Sequence, residues 1–180
     1  MSSVVHDFEE SLAWSNAQAD GPWWKEVYRR AFPDLGAAIS VRDDGWAQRG
    51  GIDRVLMLAS GRTLWVDEKV RQEDWPDVLL EFYSDYERRV PGWIEKDLAS
   101  DYIAYAFLPS QTCYLFPFQT LRAAWRANKD DWIEYFQVIT AQNRGYTSLS
   151  VAVPTEILMS SLTDAMRITW GGSRLKLAKT

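Results

Sequence analysis

The stretch that most constrains this chain is 50–71, GGIDRVLMLASGRTLWVDEKVR. Ile52, Val55, Leu56, Met57 and Leu58 form one short apolar run. Thr63, Leu64, Trp65 and Val66 form a second, rich in β-branched and aromatic residues. Ala59, Ser60 and Gly61 lie between them, and two short strands around a Gly-containing loop read as a β-hairpin. Loop length fixes the register. A three-residue loop with Gly61 in the left-handed conformation pairs Leu58 with Arg62. Counting back, it sets Asp53 opposite Asp67; a two-residue loop would set Glu68 there instead. Side chains alternate along a strand, so Lys69 shares the face of Asp67.

In the first register two carboxylates face each other across about 5 Å, which is destabilising unless a cation offsets it. Hard cations such as Mg²⁺ take one or two carboxylates, with waters and substrate phosphate completing the shell. Lys69, one strand step beyond, is then placed to hold a phosphate or the attacking water. The plainer alternative is a polar hairpin end, with Lys69 and Arg71 neutralising the acids.

The elements around the hairpin follow from periodicity and breakers. Residues 2–17 read as a short helix. Residues 23–32 read as another, with Trp24, Val27, Tyr28 and Ala31 on one face. Residues 37–41 form a short strand candidate, and 42–45 a turn. Residues 77–83 are ambiguous between strand and helix. The spacing of Ile94, Leu98, Tyr102 and Ala106 predicts a helix over 93–107. Residues 112–116 read as a buried strand, 118–128 and 131–139 as helices, 146–153 as a strand, 154–166 as a helix and 167–170 as a last strand.

Asp53, thirteen intervening residues, then Asp67-Glu68-Lys69 resembles the signature of the PD-(D/E)XK nuclease superfamily. Gly50-Gly51-Ile52-Asp53 is similar to the Gly-apolar-Asp run of its resolvase-like and exonuclease-like members, with Ile52 in place of the nominal Pro. The resemblance spans roughly 23–118. It implies an α/β fold of the restriction-endonuclease-like type: a central mixed sheet flanked by helices, with a helix-strand-strand-strand-helix-strand core. It implies that Asp53, Asp67 and the backbone carbonyl of Glu68 bind Mg²⁺ or Mn²⁺, with Lys69 as the catalytic lysine. Members often add an acid on the helix before the sheet. Glu26 is the candidate, although Glu26 and Arg30 are also spaced for an ordinary i,i+4 pair. Gln48, at the strand entrance, is a second accessory candidate. The helix after the hairpin would cross back over the sheet, making the last core strand, 112–116, parallel to a neighbour.

Composition narrows the alternatives. At 180 residues one domain is expected: a core at 23–118, a C-terminal elaboration at 119–170 and a short tail at 171–180. The 47% hydrophobic and 14% aromatic fractions suit a globular chain. Ten tryptophans are mostly core by their spacing, with one or two available to stack on bases. A net charge of −5 argues mildly against a dedicated nucleic-acid binder but not against a nuclease, whose metal-binding acids contribute to it. One cysteine, Cys113, and one histidine, His6, leave no internal disulfide and no Cys/His zinc site. No apolar run of membrane-spanning length and no signal peptide is seen, which suits a reducing cytoplasm.

The expected function is therefore a metal-dependent deoxyribonuclease acting on DNA, with a homodimer or a protein partner supplying targeting. Two alternatives keep the fold: a non-catalytic member that binds nucleic acid or a protein, and a nuclease directed to RNA.

Overall fold

The computed structural model describes residues 21–171; the helix expected at 2–17 and the tail beyond Gly171 lie outside them. Helix α1 (Trp23–Ala31) is followed by strand β1 (Leu35–Ser40), the short helix α2 (Gly45–Arg49) and strands β2 (Arg54–Leu58), β3 (Thr63–Arg71), β4 (Asp77–Asp85) and β5 (Val90–Pro91). Then come β6 (Tyr102–Phe107), β7 (Thr112–Pro117), helix α3 (Phe118–Tyr135), β8 (Val138–Asn143), β9 (Tyr146–Pro154), helix α4 (Thr155–Ser161) and β10 (Met166–Thr169).

The strands form two sheets. One is six-stranded and mixed, in the order β1-β2-β3-β6-β7-β10. The other is four-stranded, in the order β5-β4-β9-β8. In the first, β1, β2 and β3 are an antiparallel meander, and β6 lies parallel to β3 with Asp67 beside Ile103 and Lys69 beside Tyr105. The expected mixed α/β architecture is present, but the parallel strand is not the expected one: the strand over 112–117, β7, runs antiparallel to both β6 and β10, and the strand parallel to β3 is β6, which lies within the segment expected to be a helix.

The six-stranded sheet is the middle layer because its strands are apolar on both faces. On one face Trp24, Val27 and Tyr28 of α1 pack on Leu56, Leu64, Val66, Ala104, Ala106 and Leu115. On the other, Ile103, Tyr105, Phe107 and Phe116 pack with Val78 and Leu80 of β4, Val151 and Val153 of β9, and Leu121 and Trp125 of α3. Strand β3 alternates between these layers, so Glu68 points toward α1 while Asp67 and Lys69 point toward the second sheet.

Three expected helices are corrected. Residues 93–107 are not helical: 92–101 are an irregular connection and Tyr102–Phe107 is a strand. Backbone pairing decides it. After one turn on the Gly92 carbonyl, the N–H of Ala99 goes to the Gly50 carbonyl (2.8 Å) and that of Asp101 to the Trp65 carbonyl (2.7 Å), so the chain runs along the hairpin instead of continuing as a helix. Ile94 and Leu98 are buried as plugs between the layers. The crossover from β3 to β6 therefore passes through β4 and β5 of the second sheet, with no helix in it. Likewise the helices expected at 118–128 and 131–139 are one continuous helix, α3, that ends at Tyr135, and Val138 and Ile139 belong to strand β8. Its β-branched start, Val138-Ile139-Thr140, suits an edge strand beside β9.

Gly92 sets how closely the connection approaches β4. Its N–H bonds the Phe82 carbonyl at 2.9 Å, and a β-carbon there would collide with the Glu81 backbone carbonyl. Overpacking of this kind costs about 1–3 kcal/mol. Gly92→Ala should lower Tm by about 3–10 °C in a thermal melt; an unchanged Tm would refute the close approach.

Candidate functional site

The hairpin has the register with the three-residue loop. Leu58 N–H bonds the Arg62 carbonyl at 2.9 Å, and Gly61 sits at φ 85°, where glycine is favoured. Arg54 is opposite Val66, and the Asp53 N–H bonds the Val66 carbonyl at 2.9 Å, which sets Asp53 across from Asp67.

Asp53 stands just before β2. Its Oδ2 accepts the Glu68 backbone N–H at 2.7 Å, and its Oδ1 pairs with Arg42 Nη1 at 3.1 Å. The N–H and C=O of one residue point to the same strand edge, so the Glu68 carbonyl lies on the Asp53 side of β3. Burial pushes the Asp53 carboxyl up to about 6, and repulsion from Asp67 adds to it; Arg42 and the Glu68 N–H offset only part. Asp67 is buried and accepts from Lys69 Nζ on both oxygens, at 3.1 and 3.0 Å. Burial alone would pull the Lys69 ammonium down, but Asp67, Asp53 and Glu81 together hold it above its ordinary value.

The second sheet closes over this row. Lys69 Nζ lies 4.8 Å from the centroid of the Trp93 ring. Glu81 of β4 accepts the Trp93 backbone N–H and interacts with Lys69. Burial is the main cause that raises its carboxyl, and Asp67 adds to it. On the α1 side, the Glu68 carboxylate is fully buried. It accepts Tyr28 Oη–H at 2.6 Å, Arg54 Nε at 2.5 Å and Arg42 Nη2 at 2.9 Å. Arg42 thus bridges Asp53 and Glu68.

The structure brings together Asp53, Asp67, the Glu68 backbone and Lys69. It does not bring the accessory candidates to them. Glu26 is exposed and pairs with Arg30 at 2.5 Å, while Arg30 also reaches the Thr169 carbonyl at the far edge of the sheet. The Gln48 amide donates to the Arg42 carbonyl, bracing the turn that aims Arg42. Sequence reasoning missed Arg42, Arg54, Tyr28, Glu81, Trp93 and the Glu68 carboxylate. One signal was available for two of them. Arg54 and Glu81 are charges embedded in apolar strand runs, and such charges are rarely buried unless paired. Among the described residues, no group of three or more His, Cys, Asp or Glu is arranged to hold a metal ion. No described helix is long and apolar enough to cross a membrane.

The raised Asp53 carboxyl makes a stability prediction. A carboxyl whose folded pKa exceeds its unfolded value favours the fold when protonated. That contribution is full below pH 3.8 and is lost as pH rises through about 6. The rise from 3.8 to about 6 corresponds to about 3 kcal/mol against the ionised form. Asn retains an oxygen for the Glu68 N–H. Asp53→Asn should therefore raise Tm by about 6–12 °C at pH 8 and give no advantage at pH 3.5. A lower Tm than wild type at pH 8 would show that Asp53 is a net stabiliser and defeat this account.

Searches against protein-family models, curated proteins and solved structures found no match for this chain.

Proposed function

We propose that this chain is a Mg²⁺- or Mn²⁺-dependent nuclease that hydrolyses phosphodiester bonds in DNA, built on a restriction-endonuclease-like core. The observation that carries the reading is the mutually repelling pair of the half-buried Asp53 and the buried Asp67, which strains the site in a way that a divalent cation would relieve. The donor set suits a hard cation: a carboxylate just before β2, a second on β3, and the Glu68 carbonyl on the edge of β3 that faces Asp53. A bound ion lowers the pKa of its water and neutralises charge on the phosphate. Lys69, held cationic by Asp67, donates to the attacking water and to the oxygens where charge develops. Glu68 acts from below: its backbone N–H fixes Asp53, and its carboxylate anchors Arg42.

The test is incubation of the purified chain with supercoiled, linear and single-stranded DNA in Mg²⁺, Mn²⁺ or EDTA. Cleavage that requires the metal supports the reading, and none on any substrate counts against it.

One observation favours a second reading, a non-catalytic member of the same fold that binds nucleic acid or a protein. Each acid already has a cation of its own, Arg42 on Asp53 and Lys69 on Asp67. Calorimetric titration with Mn²⁺ separates the two. Binding that disappears in Asp53→Asn supports the nuclease; no binding by wild type supports the second reading.

A further inference from the structure

Trp46 is 63% exposed, an unusual place for a large indole, yet it is held firmly. Asp44 Oδ1 caps α2 by accepting the N–H groups of Trp46 and Ala47, at 2.8 and 2.9 Å. Ala47 is buried, and its carbonyl takes the Ile52 N–H at 2.9 Å, pinning the helix to the start of the hairpin. The Trp46 ring meets Trp65 edge-to-face, with centroids 6.1 Å apart. Trp65 is two residues before Asp67 on the same face of β3, about 6.6 Å along the strand.

Arg49 completes the arrangement. A β-carbon on Gly45 would lie 3.9 Å from Arg49 Nη1, so the guanidinium folds back along α2, and Arg49, three residues on from Trp46, shares its side of the helix. Arg49 is exposed and has no carboxylate partner among the described residues, whereas both Arg42 Nη atoms are paired with acids. An exposed indole thus rests on Trp65, itself one strand step from Asp67, and a cation without a carboxylate partner among the described residues stands on the same short helix.

Those two groups match the two parts of a nucleotide. A base stacks on an indole and a phosphate pairs with a guanidinium. A duplex keeps its base faces stacked on one another and offers only edges in its grooves. An unpaired strand offers the faces. We infer that Trp46 and Arg49 form a subsite for one nucleotide of a single DNA strand, next to the scissile phosphate. This rests on the nuclease reading, and it makes the substrate single-stranded DNA or the unpaired part of a branched or frayed duplex.

The experiment is fluorescence anisotropy with a short labelled oligo-dT strand and with a duplex of the same length, in Ca²⁺ in place of Mg²⁺, beside cleavage assays on both substrates. Wild type should bind the single strand at least about 10-fold more tightly than the duplex. Trp46→Ala should weaken single-strand binding by about 10-fold or more, and Trp46→Phe should recover most of it. Arg49→Gln should weaken binding less and reduce the salt dependence by about one phosphate contact. Circular dichroism checks the fold of each variant. If metal-dependent cleavage is present but Trp46→Ala binds and cuts single strands as wild type does, this inference fails and the nuclease reading stands. If wild type neither binds nor cuts any DNA, both fail.

Discussion

Asp67→Ala should leave metal-dependent DNA cleavage at least about 10³-fold below wild type, and Lys69→Ala about 10²–10³-fold below. The two losses have different causes. Asp67 is the buried carboxylate on the hairpin's second strand, and its removal deletes half of the donor set. It also releases Lys69, whose ammonium lies 3.0 Å from it. Lys69→Ala leaves both acids but removes the cation beside the reacting phosphate. Saturating Mn²⁺ should therefore leave Asp67→Ala inactive. Calorimetry should find ion binding retained in Lys69→Ala and lost in Asp67→Ala. Cleavage by Asp67→Ala at the wild-type rate would end the nuclease assignment, as would cleavage insensitive to both substitutions.

Arg54→Leu should be the most damaging single change to the fold described here. Arg54 is 8% exposed and faces a carboxylate with no solvent access, bonding it through Nε at 2.5 Å and Nη2 at 3.3 Å. Removing one partner of a buried ion pair leaves an uncompensated charge and costs about 3–5 kcal/mol. Tyr28 and Arg42 remain on Glu68 and keep the loss from being larger. The expected fall in Tm is about 6–20 °C, read by thermal or urea denaturation. Changing both residues, Arg54→Leu with Glu68→Met, should recover part of the loss, because no charge is then stranded. A single-variant loss below about 1 kcal/mol would show that the pair is not what holds β2 to β3 in this layer.

The site was legible in the sequence where one local rule decided it. Gly61 fixed the loop, the loop fixed the register, and the register set Asp53 against Asp67 with Lys69 on the same face. What was not legible depends on which layer covers a strand. Tyr102–Phe107 is buried on both faces, α1 on one and the second sheet on the other. Alternation disappears in such a strand, and an unbroken apolar run mimics a helix. Ile94 and Leu98 then supplied a false stripe at helical spacing, although they reach the core from an irregular connection. Glu68 was hidden for a related reason. Its neighbours Tyr28, Arg42 and Arg54 come from three other segments, and no spacing along the chain joins them. Glu81 reaches Lys69 only because the crossover carries β4 into the second sheet.

That crossover also sets when the site can exist. Strand β4 takes its main hydrogen-bond partner from β9, with Asp77 beside Pro154. During synthesis at about 5–20 residues per second, β4 waits several seconds for that partner to be made. Until then β4, which carries Glu81, lacks the partner strand that completes its sheet. A growing chain therefore carries the hairpin acids well before it carries the completed second sheet that covers them.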